Sequence, residues 1–302
     1  MAGLSGHLQL RAAAREDGRT VLAGQACRSP FHVSKPYWDE AAGTLIVQVV
    51  NATAGILAGD CLEADIQVEA GASLLVTAPS ASRVFRMGEG TAANVRQHCR
   101  VAAGGWLEIL PEPLVPHRGC RYFQTTRLEV AAGAGLLYTD LLLPGRTAHG
   151  EAWAWERLCL ETEVRVAGEL VLRERFDQTG TGLRSLAEWA GSGATACFGN
   201  AVLLLPEDDD GRGAAVAGAE GPAPATPGEA QPGLLPSLTA ALARVAALQR
   251  DGVPVGVSAL RRGGWSIKFV APDGQRLRDA FRAIRSELAA VLPPLSADAR
   301  KL

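Results

Sequence analysis

The side chains best placed to do chemistry in this chain are carboxylates on or beside turns. Asp60 ends the segment Asn51-Ala-Thr-Ala-Gly-Ile-Leu-Ala-Gly-Asp60, set between the apolar runs 45–50 and 62–68. A strand, a turn and a strand therefore display its carboxylate at a turn rather than in a core. Asp140 lies in Leu137-Tyr-Thr-Asp-Leu-Leu-Leu143, where a carboxylate is costly to bury unpaired. The turn that follows, Pro144-Gly-Arg-Thr-Ala-His-Gly-Glu151, presents Arg146 and Glu151. Such groups can hold a cation, or they can do something plainer: Asp60 can cap its own turn, and Asp140 can pair with Arg146.

Other chemistries find less support. The close His/Cys pairs are His98-Cys99 and His117-x-x-Cys120, and each reads more simply as a strand side chain beside a core thiol than as two metal ligands. No Gly-x-Ser-x-Gly elbow is present, and Gly191-Ser-Gly193 lacks both the spacing and a preceding apolar strand. No Gly-x-x-x-x-Gly-Lys-Ser/Thr occurs, and Gly88-Glu-Gly90 sits among β runs rather than opening a helix. The chain is expected not to be an enzyme.

The elements that must position these groups are mostly strands. Short runs rich in Val, Leu, Thr and aromatics fill residues 6–176, separated by turns such as Glu69-Ala-Gly-Ala72, Ala102-Ala-Gly-Gly105 and Ala131-Ala-Gly-Ala-Gly135. Thr126-Arg-Leu-Glu-Val130 alternates so that one face is wet. The Ala-Gly turns recur at about thirty residues, which fits stacked β units, although a plain fondness for Ala/Gly turns would look the same. Residues 1–205 are expected to form a β body, and residues 206–236, rich in Gly, Ala, Pro and Asp, a flexible loop. Residues 237–302 follow as helix (238–249), hairpin (253–260 with 265–270) and helix (276–292) packed on that body. In the last helix Leu277, Phe281, Ile284, Leu288 and Val291 form one apolar stripe, suited to the chain's own sheet or to a partner helix.

Composition sets outer limits. With 302 residues, 47% of them hydrophobic, the chain can bury a real core. Its 30 Lys and Arg against 32 Asp and Glu give a charge of −2, so no global field favours nucleic acid or an anionic membrane. No apolar run approaches the ~20 residues of a membrane helix, and the first residues lack the pattern of a signal peptide, so a cytoplasmic location is expected. Six scattered cysteines without Cys-x-x-Cys read as buried hydrophobes of a reducing compartment.

Four motifs taken in order resemble those of the urease accessory protein UreD (UreH) family. They are the glycine turn ending in Gly59-Asp60 with Gly55 before it, Thr77-Ala-Pro-Ser-Ala-Ser-Arg-Val-Phe-Arg86, Leu107-Glu-Ile-Leu-Pro-Glu112, and Gly145-Arg-Thr-Ala-His-Gly-Glu151. Departures exist: Ala58 replaces the first Gly of Gly-Gly-Asp, Ala52-Thr53-Ala54 replace Pro-Gly-Gly, Phe85 replaces Tyr, and the family's Pro-Arg-Ile-Trp ending has no counterpart in residues 293–302. The resemblance implies an elongated, layered β structure, β-solenoid- or sandwich-like, with a few C-terminal helices. It marks Gly55, Gly59, Arg86, Glu108, Gly145, Arg146 and Glu151 as motif positions. It also implies that Asp60, Asp140 and Glu174 line a passage for transient Ni2+, with no tightly bound cofactor. The implied partners are apo-urease, a UreF-like adaptor and, through it, a UreG-like GTPase. The alternative from another class is a β-sandwich enzyme using paired carboxylates on a small ligand or carbohydrate; a third is a module that stores metal.

Overall fold

The recurring Ala-Gly turns stack one above another and set the architecture. In the computed structural model, which describes residues 3–189, 195–205, 234–251 and 254–298, Gly71, Gly104 and Gly133 have φ of 69°, 70° and 71°. This left-handed conformation strains any residue with a Cβ. Neighbouring turns bond directly, Gly104 N donating to Gly133 O at 2.9 Å. Each turn joins a strand of one sheet to a strand of another. Cys61–Val68, Ala93–Val101, Arg121–Val130 and Arg157–Val166 run parallel in the first sheet. Ser73–Thr77, Trp106–Leu110 and Gly135–Leu142 run parallel in the second. The result is a mainly β, solenoid-like stack of coils with helices near the C-terminus, as the spacing of the turns and the family resemblance lead one to expect.

Antiparallel strands extend both sheets. Glu169–Gln178 closes one edge of the seven-stranded sheet and Thr20–Arg28 the other. In the eleven-stranded sheet Cys197–Leu204 pairs with Gly135–Leu142, then Gly264–Ala271 with Cys197–Leu204, then Val255–Ala259 with Gly264–Ala271. The C-terminal hairpin thus continues the sheet instead of lying on it. The loop expected at 206–236 falls, up to residue 233, outside the described residues, and 234–236 belong to the helix Leu234–Ala247. The last helix is Gly274–Ala289, started by Asp273, whose carboxylate accepts from Arg276 N at 2.8 Å. A helix that sequence reasoning did not foresee, Gly180–Trp189, buries Leu183 and Ala187 against Trp153 and Trp155.

The first sheet alternates, with Leu128 and Val130 buried and Arg127 and Glu129 exposed, so its outer face meets solvent. The second is covered on both faces, and its strands read accordingly as nearly unbroken apolar runs. Leu74, Leu107 and Leu136 face the first sheet, whereas Trp106, Leu137 and Leu203 face the helices. Leu277, Phe281, Ile284 and Leu288 fill that outer layer, so the apolar stripe of the last helix is taken up by the chain's own sheet. Each side chain so buried contributes ~1.5–3 kcal/mol relative to exposure.

One polar pair crosses this apolar layer. Glu108, fully buried, points to the helices and receives Arg285 Nε at 2.7 Å and Nη2 at 2.9 Å. Burial pushes the Glu108 carboxyl up, against the downward pull of Arg285. Arg285→Leu leaves that carboxylate without its cation and should cost ~3–5 kcal/mol in urea unfolding. Glu108→Met combined with Arg285→Leu should recover most of the loss, since the unpaired group and not the missing attraction is what destabilises.

Candidate functional site

Inside the stack, the otherwise apolar space between the sheets carries one polar row. On the first sheet Thr126, Thr162 and Glu174 stand opposite one another across three strands. On the second, Asp140, Asn200 and Lys268 do the same. Tyr138 Oη donates to Asp140 Oδ1 at 2.9 Å, Gln124 Nε2 approaches the same oxygen at 3.5 Å, and Tyr122 Oη donates to Gln124 Oε1 at 2.7 Å. At the other end of the row Asn200 Nδ2 donates to Glu174 Oε2 at 3.1 Å, and Lys268 Nζ lies 2.6 Å from Glu174 Oε1. Asn200, the cross-strand neighbour of Asp140, thus bonds Glu174, and the two carboxylates belong to one seam of polar positions.

Burial raises the Asp140 carboxyl to about 6; the charge of Glu174 adds to the rise, while the hydrogen bonds from Tyr138 and Gln124 oppose it. Such a group is mostly ionised at neutral pH yet close to the point of taking a proton. Beside it opens a cavity of about 230 Å³ lined by Tyr122, Gln124 and Asp140 and, toward solvent, by Thr53, Pro79, Ser80 and Arg83. A groove beside the last helix shares Thr77–Pro79, Leu110–Glu112 and Leu141 with that cavity. Residues 77–83 and 109–112 thus supply walls of the cavity beside Asp140.

The family model described as UreD urease accessory protein matches residues 4–300. The chain belongs to the UreD family. Among similar proteins, the urease accessory protein UreD of Opitutus terrae is 54% identical over 300 residues, 99% of each chain. The UreD of Yersinia pseudotuberculosis is 36% identical over 233 residues, covering 70% of this chain and 66% of its own.

The other UreD motif positions are mainly tied into the framework. Asp60 is buried and accepts Leu4 N at 2.9 Å through Oδ1 and Leu57 N at 2.8 Å through Oδ2, so it braces the glycine turn against the first residues of the chain. It lies outside the seam that unites Asp140 and Glu174. Gly55 packs so tightly that a Cβ would stand 2.5 Å from Arg83 O, and Gly59 abuts Gly3. Gly145 is enclosed by the carbonyls of Pro116 and Glu151. Arg146 does not reach Asp140; it holds Glu151 through two bonds, at 2.7 and 2.9 Å, and keeps that carboxyl below the usual carboxylate range. Arg86 is exposed beside Gly119 and has no carboxylate partner among the described residues.

The His98-Cys99 pair separates. Cys99 points into the core while His98 lies on the outer face near Glu129, at 3.3 Å. Burial pushes the Cys99 and Cys120 thiols up to about 12, far from the thiolate that binds metal. Among the described residues no group of three or more His, Cys, Asp or Glu is arranged to hold an ion. Sequence reasoning missed Gln124, Tyr138, Asn200 and Lys268. Tyr122-x-Gln124-x-Thr126-x-Leu128 did carry a signal, because its polar residues fall in phase with a buried apolar one. Asn200 and Lys268 became visible only through the register of their strands.

The position of Asp140 has a consequence for stability. The folded protein holds this proton more tightly than the unfolded chain, so ionisation of Asp140 costs stability above pH ~6, and the cost fades as pH falls toward 3.8. Asp140→Asn, which still accepts from Tyr138, should be more stable than the parent by on the order of 1–2 kcal/mol at neutral to alkaline pH. Urea unfolding across a pH series should show that difference shrinking below about pH 6 and vanishing near the ordinary carboxylate value.

Proposed function

We propose that this chain is a non-catalytic scaffold of urease maturation, linking apo-urease to a UreF-like adaptor and a UreG-like GTPase, and that the seam conducts Ni2+ toward the urease site. The observation that carries the reading is the placement of Asp140 and Glu174 in one polar row, inside an apolar stack, with a cavity reaching Asp140 from the surface. A divalent ion moving through protein must exchange water for oxygens that let go again. Two carboxylates set among amides, hydroxyls and one lysine do this better than a closed cage. Nickel is cargo in this reading, held transiently and not as a resident cofactor.

Asp140 and Glu174 are the principal ligands. Asp60 can join them only by giving up its bonds from Leu4 and Leu57. The cysteines are free, which suits a reducing cytoplasm. No helix among the described residues is long and apolar enough to cross a membrane.

The test is co-expression of each variant with urease and its other accessory proteins, measuring complex yield and urease nickel content together. Asp140→Ala combined with Glu174→Ala should lower nickel per urease on the order of tenfold while the complex still forms, the scale on which the loss of metal-orienting groups weakens a site. Asp60→Ala should behave differently. It strands two backbone N–H groups at a cost of ~1–3 kcal/mol, and nickel content should fall only in step with folded protein. Normal nickel in urease matured with the Asp140/Glu174 double variant would remove the conduction role.

A further inference from the structure

The outer end of the seam already holds a positive charge. Lys268 Nζ lies 2.6 Å from Glu174 Oε1 and 3.4 Å from Asn200 Oδ1, so an ammonium sits on two oxygens that an arriving cation would use. Asn200 turns its amide the other way, to Glu174 Oε2, and so orients the carboxylate toward Lys268. The register makes this arrangement deliberate in the geometric sense: Lys268 stands opposite Asn200, and Asn200 opposite Asp140, on one face of one sheet. The arginines flanking Glu174 in sequence do not compete for it. Alternation sends Arg173 and Arg175 to the outer face, where they pair with Glu161 at 2.8 Å and Asp177 at 3.0 Å.

The pair is built to open. Lys268 is 59% exposed and Glu174 27%, and an ion pair in such a setting is weak and exchanges readily. A lysine ammonium is a compact charge on a flexible stem, free to swing into water once displaced. A divalent ion brings twice its charge to the same oxygens, whereas a monovalent ion brings no advantage over an ammonium held in place by its own chain.

We infer that Lys268 is a tethered cation that occupies the outer carboxylate of the seam until a divalent ion displaces it, and so sets how strongly cations are held there and which are admitted. This rests on the seam being a passage for divalent cations. It makes Lys268 a residue that weakens binding, which a conduit needs at its ends if cargo is to leave.

Equilibrium dialysis of the full chain, carried on a solubility tag, against Ni2+ tests the inference. Lys268→Met, which keeps most of the stem without the charge, should bind Ni2+ about three- to tenfold more tightly than the parent. Lys268→Arg should bind as the parent does. Lys268→Met combined with Glu174→Gln should lose the gain. Thermal melts run alongside separate the alternative of a structural strut: a lower Tm with unchanged Ni2+ affinity in Lys268→Met overturns the inference, as does a gain that survives Glu174→Gln. The conduction reading fails separately, through normal urease nickel content with the Asp140/Glu174 variants, so the two failures are distinguishable.

Discussion

Parallel, in-register stacking is the constraint on which the rest of the molecule depends. When coil lies on coil with turns bonded to turns, each inward side chain stands beside its counterpart in the next coil at a strand spacing of about 4.8 Å. An apolar residue finds apolar neighbours at no cost. A polar one must find polar neighbours or remain unsatisfied in the dark space between the sheets. Thr126 accordingly has Thr162 beside it and Tyr138 across from it, Gln124 finds Tyr122 and Tyr138, and Asp140 is admitted because Tyr138 and Gln124 are there to donate. A row of polar positions is the form in which this fold tolerates polarity, and a row is also what a moving ion requires.

The layer behind the second sheet gives that row a fixed wall. Gly135–Leu142 cannot shift to accommodate a charge at Asp140, because Leu137 and Leu141 on its other face are locked into the helical layer. The Glu108–Arg285 pair pins the last helix to the same sheet, and Arg285 also donates to Ala297 O at 3.0 Å, gathering the chain's final described turn onto that helix. The Leu107–Glu112 motif thus has two separate duties. Glu108 serves the outer layer, while Glu112, paired with Arg278 at 3.0 Å, borders the opening between cavity and groove.

Much of the architecture was legible because it rests on local signals. Gly71, Gly104 and Gly133 mark turns by composition alone, and their spacing becomes a stack once the layered family fold is brought to it. The stripe Leu277, Phe281, Ile284 and Leu288 shows a helix with one buried face, though only the packed sheet shows what covers it. The site was legible in part. Asp140 betrayed itself as a carboxylate among leucines, but its partners come from Tyr138 two residues away and from Gln124 on another sheet, where one expects Arg146. Arg173 and Arg175 flank Glu174 in sequence, yet strand alternation keeps them from it: residues 173 and 175 face out when 174 faces in. Pairings between distant strands leave no trace in a single chain, and Lys268 reaches Glu174 through just such a pairing.

In the proposed passage, the charge balance of the seam would let it hold a cation without keeping it. Two carboxylates meet one ammonium, and the remaining neighbours, Gln124, Tyr138 and Asn200, are neutral. The net negative charge attracts a divalent ion, but burial already makes Asp140 reluctant to stay ionised, and Glu174 is already engaged by Lys268. Each carboxylate therefore has a ready alternative to the metal, a proton at one end and an ammonium at the other. On the proposed reading, binding strength would be the difference between the ion's attraction and these alternatives, and a site whose ligands are never left bare would hold its cargo loosely.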